Sequence, residues 1–141
     1  MNKRRILLID DEETFADTMK LYLEKTGCFT VRVEYRGDRG IVAAKEFLPE
    51  LIILDVIMPD QDGGAIAAQL KEEPELRKIP IVFLTAVVSR EEARTQAGLI
   101  GGQLFIPKPM SAKDVLAIIN QQLGMEPWMA TTSDAGVKGG R

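Results

Sequence analysis

Three short runs, Ile6-Leu7-Leu8-Ile9, Leu51-Ile52-Ile53-Leu54 and Ile81-Val82-Phe83-Leu84, are apolar without interruption. A strand with one wet face alternates apolar and polar residues, so an unbroken run marks a strand that helices cover on both sides. Between these runs the apolar residues recur at helical spacing, which is the pattern of βα units and a parallel sheet. The candidate strands are residues 5–9, 30–34, 51–54, 81–84 and 103–106.

The helices carry their own boundary signals. Phe15, Met19, Tyr22 and Leu23 form a stripe at helical spacing, and Gly27 is placed to end that helix. Asp38 is a candidate cap for a second helix reaching about Leu48, with Pro49 as its stop. Ile66 and Leu70 line a third, and Ser89-Arg90-Glu91-Glu92 reads as a capping box that opens a fourth. Ser111 caps the last, whose face is Val115, Leu116, Ile118, Ile119 and Leu123, with Gly124 closing it. The expectation is five βα units in one α/β domain over residues 1–124, followed by a mobile tail at 125–141 that holds the lone Trp128.

At 141 residues the chain has room for one domain with a real core. A net charge of −3 argues against nucleic acid as the main partner, because phosphate backbones need clustered Lys and Arg. Histidine is absent, which removes Ser-His hydrolases, His-ligated zinc and a self-contained phosphohistidine carrier. Cys28 is the single cysteine, so no internal disulfide forms, and it reads as a small strand hydrophobe. The apolar start ends after four residues at Asp10-Asp11-Glu12-Glu13, far short of a signal sequence, and no stretch is long enough to span a membrane. The expected location is the cytoplasm.

In open α/β sheets, ligands bind beyond the carboxyl ends of the strands. Asp10 and Asp11 follow the first strand, Asp55 the third, Thr85 the fourth and Lys108 the fifth. An acidic pair is common at helix N-termini, where the dipole favours anions, and a lysine between two prolines is common in turns. Asp55 differs, because an acid directly after Leu51-Ile52-Ile53-Leu54 stands where burying a charge is costly. Three crowded carboxylates call for a hard divalent cation, and Mg²⁺ prefers one or two of them plus water and phosphate oxygens. The third is then left for chemistry.

Ile6-Leu7-Leu8-Ile9-Asp10-Asp11-Glu12, Leu54-Asp55-Val56-Ile57-Met58-Pro59-Asp60-Gln61-Asp62-Gly63, Phe83-Leu84-Thr85-Ala86 and Lys108-Pro109 stand in that order along the chain. Together they resemble the receiver domain of bacterial two-component response regulators, over about Lys3 to Leu123. The resemblance implies a flavodoxin-like, doubly wound, five-stranded parallel sheet of order 2-1-3-4-5 with five helices. It implies that Asp55 accepts a phosphoryl group from phosphohistidine on a histidine kinase or histidine phosphotransfer protein. Asp10, Asp11, Asp55 and the backbone carbonyl of Ile57 would hold Mg²⁺, with Mn²⁺ able to substitute. Thr85, Lys108 and the Ala86 amide would bind the phosphoryl oxygens, and Pro109 is a candidate for a cis peptide bond. Thr85 and Phe105 would form the switch that carries the signal to an output protein, with phosphorylation-dependent homodimerisation as an open alternative. Such a chain is a signalling switch and not a turnover enzyme.

Two features depart from the common family pattern. Gly98-Leu99-Ile100-Gly101-Gly102-Gln103 replaces the usual approach to the fifth strand, which puts the usual output face in doubt. Ile57 and Val87 occupy positions that tune phosphoryl loss, and being apolar they imply a long-lived phosphorylated state. Three competitors are weaker. A haloacid-dehalogenase-type phosphatase needs Asp-x-Asp after strand one, whereas Asp10 and Asp11 are adjacent, and the chain is short for a substrate cap. A flavodoxin-like flavin carrier needs a phosphate loop where the acidic run stands. A scaffold built on a decayed receiver would not retain all five site positions.

Overall fold

The computed structural model describes residues 3–56, 58–59, 62–85, 99–100, 103–107 and 110–124, of which 85, 99–100 and 103–104 are described by their backbone alone. In chain order the elements are β1 (Arg4–Ile9), α1 (Glu13–Lys25), β2 (Phe29–Glu34), a 3₁₀ turn (Gly37–Arg39), α2 (Gly40–Phe47), β3 (Leu51–Asp55), α3 (Gly63–Glu72), β4 (Ile81–Thr85), β5 (Leu99–Ile100), β6 (Gln103–Pro107) and α4 (Ala112–Leu123). Five strands are parallel in the spatial order β2-β1-β3-β4-β6, and the two-residue β5 adds an antiparallel edge to β6. Counted along the five parallel strands, this is the expected 2-1-3-4-5 arrangement. The chain moves one way from β1 to β2 and the other way to β3, which leaves a crevice between the ends of β1 and β3.

The continuous apolar runs are explained by two cores, one on each face of the sheet. Ile6, Leu8, Leu51, Ile53, Val82 and Leu84 point to the face covered by Ala16, Met19 and Leu23 of α1 and by Val115, Leu116 and Ile119 of α4. Leu7, Ile9, Ile52, Leu54, Ile81 and Phe83 point to the opposite face, covered by Ala43 and Ala44 of α2 and by Ile66 and Leu70 of α3. Neighbouring residues of one strand serve different cores, so neither face tolerates polar alternation.

The helix ends show which boundary signals operate. Gly27 and Gly124 have φ of +82° and +68°, the left-handed conformation that ends α1 and α4. Ser111 Oγ accepts the Asp114 N–H at 3.1 Å and caps α4 as expected. Ser111→Ala should cost about 1 kcal/mol and lower the thermal midpoint by roughly 3 °C, readable by calorimetry. Asp38 does not cap α2. It lies inside the 3₁₀ turn, where its carboxylate takes two hydrogen bonds from Arg36, at 3.0 and 2.7 Å. That ion pair holds the Asp38 carboxyl below its ordinary range. α2 ends where Leu48 turns left-handed at φ 48°, and Arg5 seals that end by donating to the Leu48 carbonyl at 3.0 and 2.7 Å. Cys28 stands in the bend before β2, half-buried, and not within a strand.

The outer rim of β2 is covered from α1. Glu24 Oε2 accepts the Val31 N–H at 2.9 Å, Lys20 Nζ donates to the Val31 carbonyl at 2.8 Å, and the two side chains pair at 2.9 Å. The capping box at Ser89, the helix it was expected to open, and the tail from 125 lie outside the described residues.

Candidate functional site

The ends of β1 and β3 carry the acidic residues. Ile9 is paired with Leu54 in register, so Asp10 and Asp55 lie side by side where the two strands finish. Asp10 is held by two backbone links: its N–H donates to the Glu34 carbonyl at 3.0 Å, and its Oδ1 accepts the Glu12 N–H at 2.9 Å. The second is a tight Asx turn that swings the chain into α1 at Glu13. Asp11 occupies the corner and is half-buried. Asp55 is the last residue of β3, and the next amide, Val56 N–H, donates to the Leu84 carbonyl at 2.9 Å.

Asp10 is 0% exposed and Asp55 4%. One carboxylate oxygen from each of Asp10, Asp11 and Asp55 can be chosen so that all lie within 4.8 Å of one another. Carboxylates this close and this dry repel unless a cation is shared among them. The donor set is oxygen only, with neither imidazole nor thiolate, which suits a hard ion such as Mg²⁺ and disfavours zinc or copper. The three acids predicted from strand ends are therefore brought together in one cluster.

The other expected positions divide by what is described. Thr85 is the last residue of β4, and its backbone pairs with Pro107 of β6, which places it at the same edge of the sheet. Ile57, Ala86, Val87, Lys108 and Pro109 lie outside the described residues. Phe105 lies opposite Phe83 in the β4–β6 register, and their rings stack with centroids 5.1 Å apart and planes 23° apart.

One residue of this edge, Tyr35, escaped the sequence reading, and Gly63 stood there only as the last residue of a motif, with no role of its own. Tyr35 follows β2 directly, and its hydroxyl donates to Asp17 Oδ1 at 2.5 Å, which raises the phenol's pKa. Gly63 opens α3 and donates its N–H to the Val56 carbonyl at 2.8 Å, beside the acidic cluster.

Comparison with known proteins agrees with this geometry. The family model of the response regulator receiver domain matches residues 6–120. The chain is 37% identical over 123 residues to the transcriptional regulatory protein GltR of Pseudomonas aeruginosa, covering 86% of this chain and 50% of that protein. It is 31% identical over 119 residues to the phosphate regulon transcriptional regulatory protein PhoB of Rhizobium meliloti, covering 84% of this chain and 52% of that protein. The chain thus spans about half the length of these curated relatives. Among solved structures, a putative response regulator from Chloroflexus aurantiacus matches with a TM-score of 0.73 at 25% identity, over 87% of this chain and 99% of that one. A CheY-like receiver domain protein from Methanospirillum hungatei matches with a TM-score of 0.72 at 24% identity, over 87% and 95% of the two chains, and bears on the fold alone. With the doubly wound sheet, the acids at its switch point and a family match over residues 6–120, the chain belongs to the response regulator receiver domain family of two-component systems.

Proposed function

We propose that this receiver is a phosphorylation switch in which Asp55 accepts a phosphoryl group from the phosphohistidine of a histidine kinase or histidine phosphotransfer protein. The observation that carries the reading is the meeting of the Asp10, Asp11 and Asp55 carboxylates at the switch point of the sheet. In the transfer an Asp55 carboxylate oxygen bonds to phosphorus as the P–N bond to the donor's imidazole breaks. Such reactions need positioning and charge neutralisation more than covalent help. Asp10, Asp11, Asp55 and the Ile57 carbonyl would hold Mg²⁺, which supplies a positive counter-charge for the phosphoryl oxygens. Lys108, Thr85 and the Ala86 amide complete the cradle in this reading.

Thr85 and Phe105 would relay the change to a surface that an output protein reads. That relay is a two-state element biased by local charge. Both of these relatives are named as transcriptional regulatory proteins. Transcriptional regulation belongs here to a partner or further segment under receiver control, because an acidic domain offers phosphate backbones little attraction. Among the described residues no helix is long and apolar enough to cross a membrane. The reading places the switch in the cytoplasm, where kinases donate phosphoryl groups.

The test is incubation with Mg²⁺ and acetyl phosphate, followed by intact mass and size-exclusion chromatography. Wild type should gain one phosphoryl group and lose it slowly. Asp55→Asn, and wild type with a chelator, should gain none. Equal labelling of Asp55→Asn would overturn the assignment, and a change in elution volume on labelling would reveal dimerisation.

A further inference from the structure

The backbone that follows Asp55 is met by the first residue of α3. A methyl group added at Gly63 would stand 2.4 Å from the Asp55 carbonyl oxygen, 2.7 Å from Val56 Cα and 3.1 Å from the Val56 carbonyl oxygen. All three are backbone atoms, which cannot swing aside as a side chain can. Gly63 N–H also donates to the Val56 carbonyl at 2.8 Å, closing the loop between the acceptor strand and α3. The next residue makes the contrast. A methyl group on Gly64, which is exposed, would meet only the Asp62 carboxylate, at 3.2 and 3.9 Å.

We infer that Gly63 is a positioning residue for the acceptor: its bare Cα lets α3 press on the Asp55–Val56 peptide and fix the direction in which Asp55 leaves its strand. The inference rests on Asp55 being the acceptor. A larger residue at 63 must push either α3 or the peptide away. The Asp55 peptide can move only by shifting the Asp55 carboxylate relative to those of Asp10 and Asp11, which are tied to the end of β1. Reacting groups misplaced by about 1 Å lose on the order of 100-fold in rate.

Gly63→Ala and Gly64→Ala are compared with wild type, using circular dichroism for folding, Mg²⁺ half-saturation from thermal shift, and the labelling rate from acetyl phosphate at saturating Mg²⁺. Gly63→Ala should raise the half-saturation and slow labelling, each by roughly 10- to 100-fold, while Gly64→Ala stays within about twofold of wild type. A folded Gly63→Ala protein that binds Mg²⁺ and labels like wild type would overturn the inference, leaving Gly63 a packing residue. If Gly63→Ala fails to fold, wild-type hydrogen exchange decides. Mg²⁺ with beryllofluoride should slow exchange at the Gly63 amide and not at Gly64, and no change at Gly63 is the overturning result. Absence of labelling in wild type is a different outcome, which sinks the phosphoacceptor reading itself.

Discussion

Asp11→Asn should raise the thermal midpoint of the metal-free protein and remove most of the further rise expected of the wild type in Mg²⁺. Three carboxylates with oxygens within 4.8 Å of one another work against folding when no cation is present. At an effective dielectric near 20, a pair of unit charges at this range repels by about 3 kcal/mol. Asp11 is half-buried, so water screens part of this, and relief of about 1–2 kcal/mol is expected. Asn keeps the shape and removes the charge. A ligand at about 100 times its Kd stabilises by about 2.7 kcal/mol, and loss of one anionic ligand should cut this below about 1 kcal/mol at the same Mg²⁺ concentration. Calorimetry in chelator and in Mg²⁺ reads both effects. An unchanged or lower metal-free midpoint, or an undiminished response to Mg²⁺, would show that Asp11 is not part of a cation site.

Leu54→Ala should cost about 3–5 kcal/mol, a large share of the 5–15 kcal/mol that typically separates folded from unfolded domains. Leu54 is fully buried in the central strand, in the core that contains Ala43 and Ala44 of α2 and Ile66 and Leu70 of α3. The facing alanines are too short to fill the space, and the strand cannot move without disturbing its pairing to β1 and β4. A cavity therefore remains. Urea denaturation should show a lower midpoint with an unchanged slope. Leu21→Ala serves as the comparison, since Leu21 is 61% exposed and its loss should fall within about 0.5 kcal/mol. Similar losses at both positions would contradict the two-core description.

The central strands and the three acids were legible because each rests on local pattern. Unbroken apolar runs mark two-sided burial, and an acid at the end of such a run marks the edge of the sheet. Boundaries slipped outward where backbone pairing continues past the apolar residues, as at Asp55 opposite Leu84 and Thr85 opposite Pro107. β5 was read as connection, because Leu99-Ile100 is two residues long and set among glycines. Asp38 looked like a cap because its type suits one, but Arg36 two residues earlier offered a stronger partner. The Phe83–Phe105 stack and the pressure of Gly63 on the Asp55–Val56 peptide depend on register and close approach across the chain. Local pattern carries no such information.

The Lys20–Glu24 pair on Val31 has a consequence for assembly. An edge strand with open N–H and C=O groups is a template on which another chain can build. At Val31 both groups are taken by α1, and the Glu24 carboxyl stays below its ordinary range. Burial opposes that ionisation, but the hydrogen bond from the Val31 amide and the neighbouring Lys20 outweigh it. An incoming β-strand would have to displace a charge-assisted clamp before it could extend the sheet there. Self-association and amyloid-type growth by strand addition are discouraged at this rim.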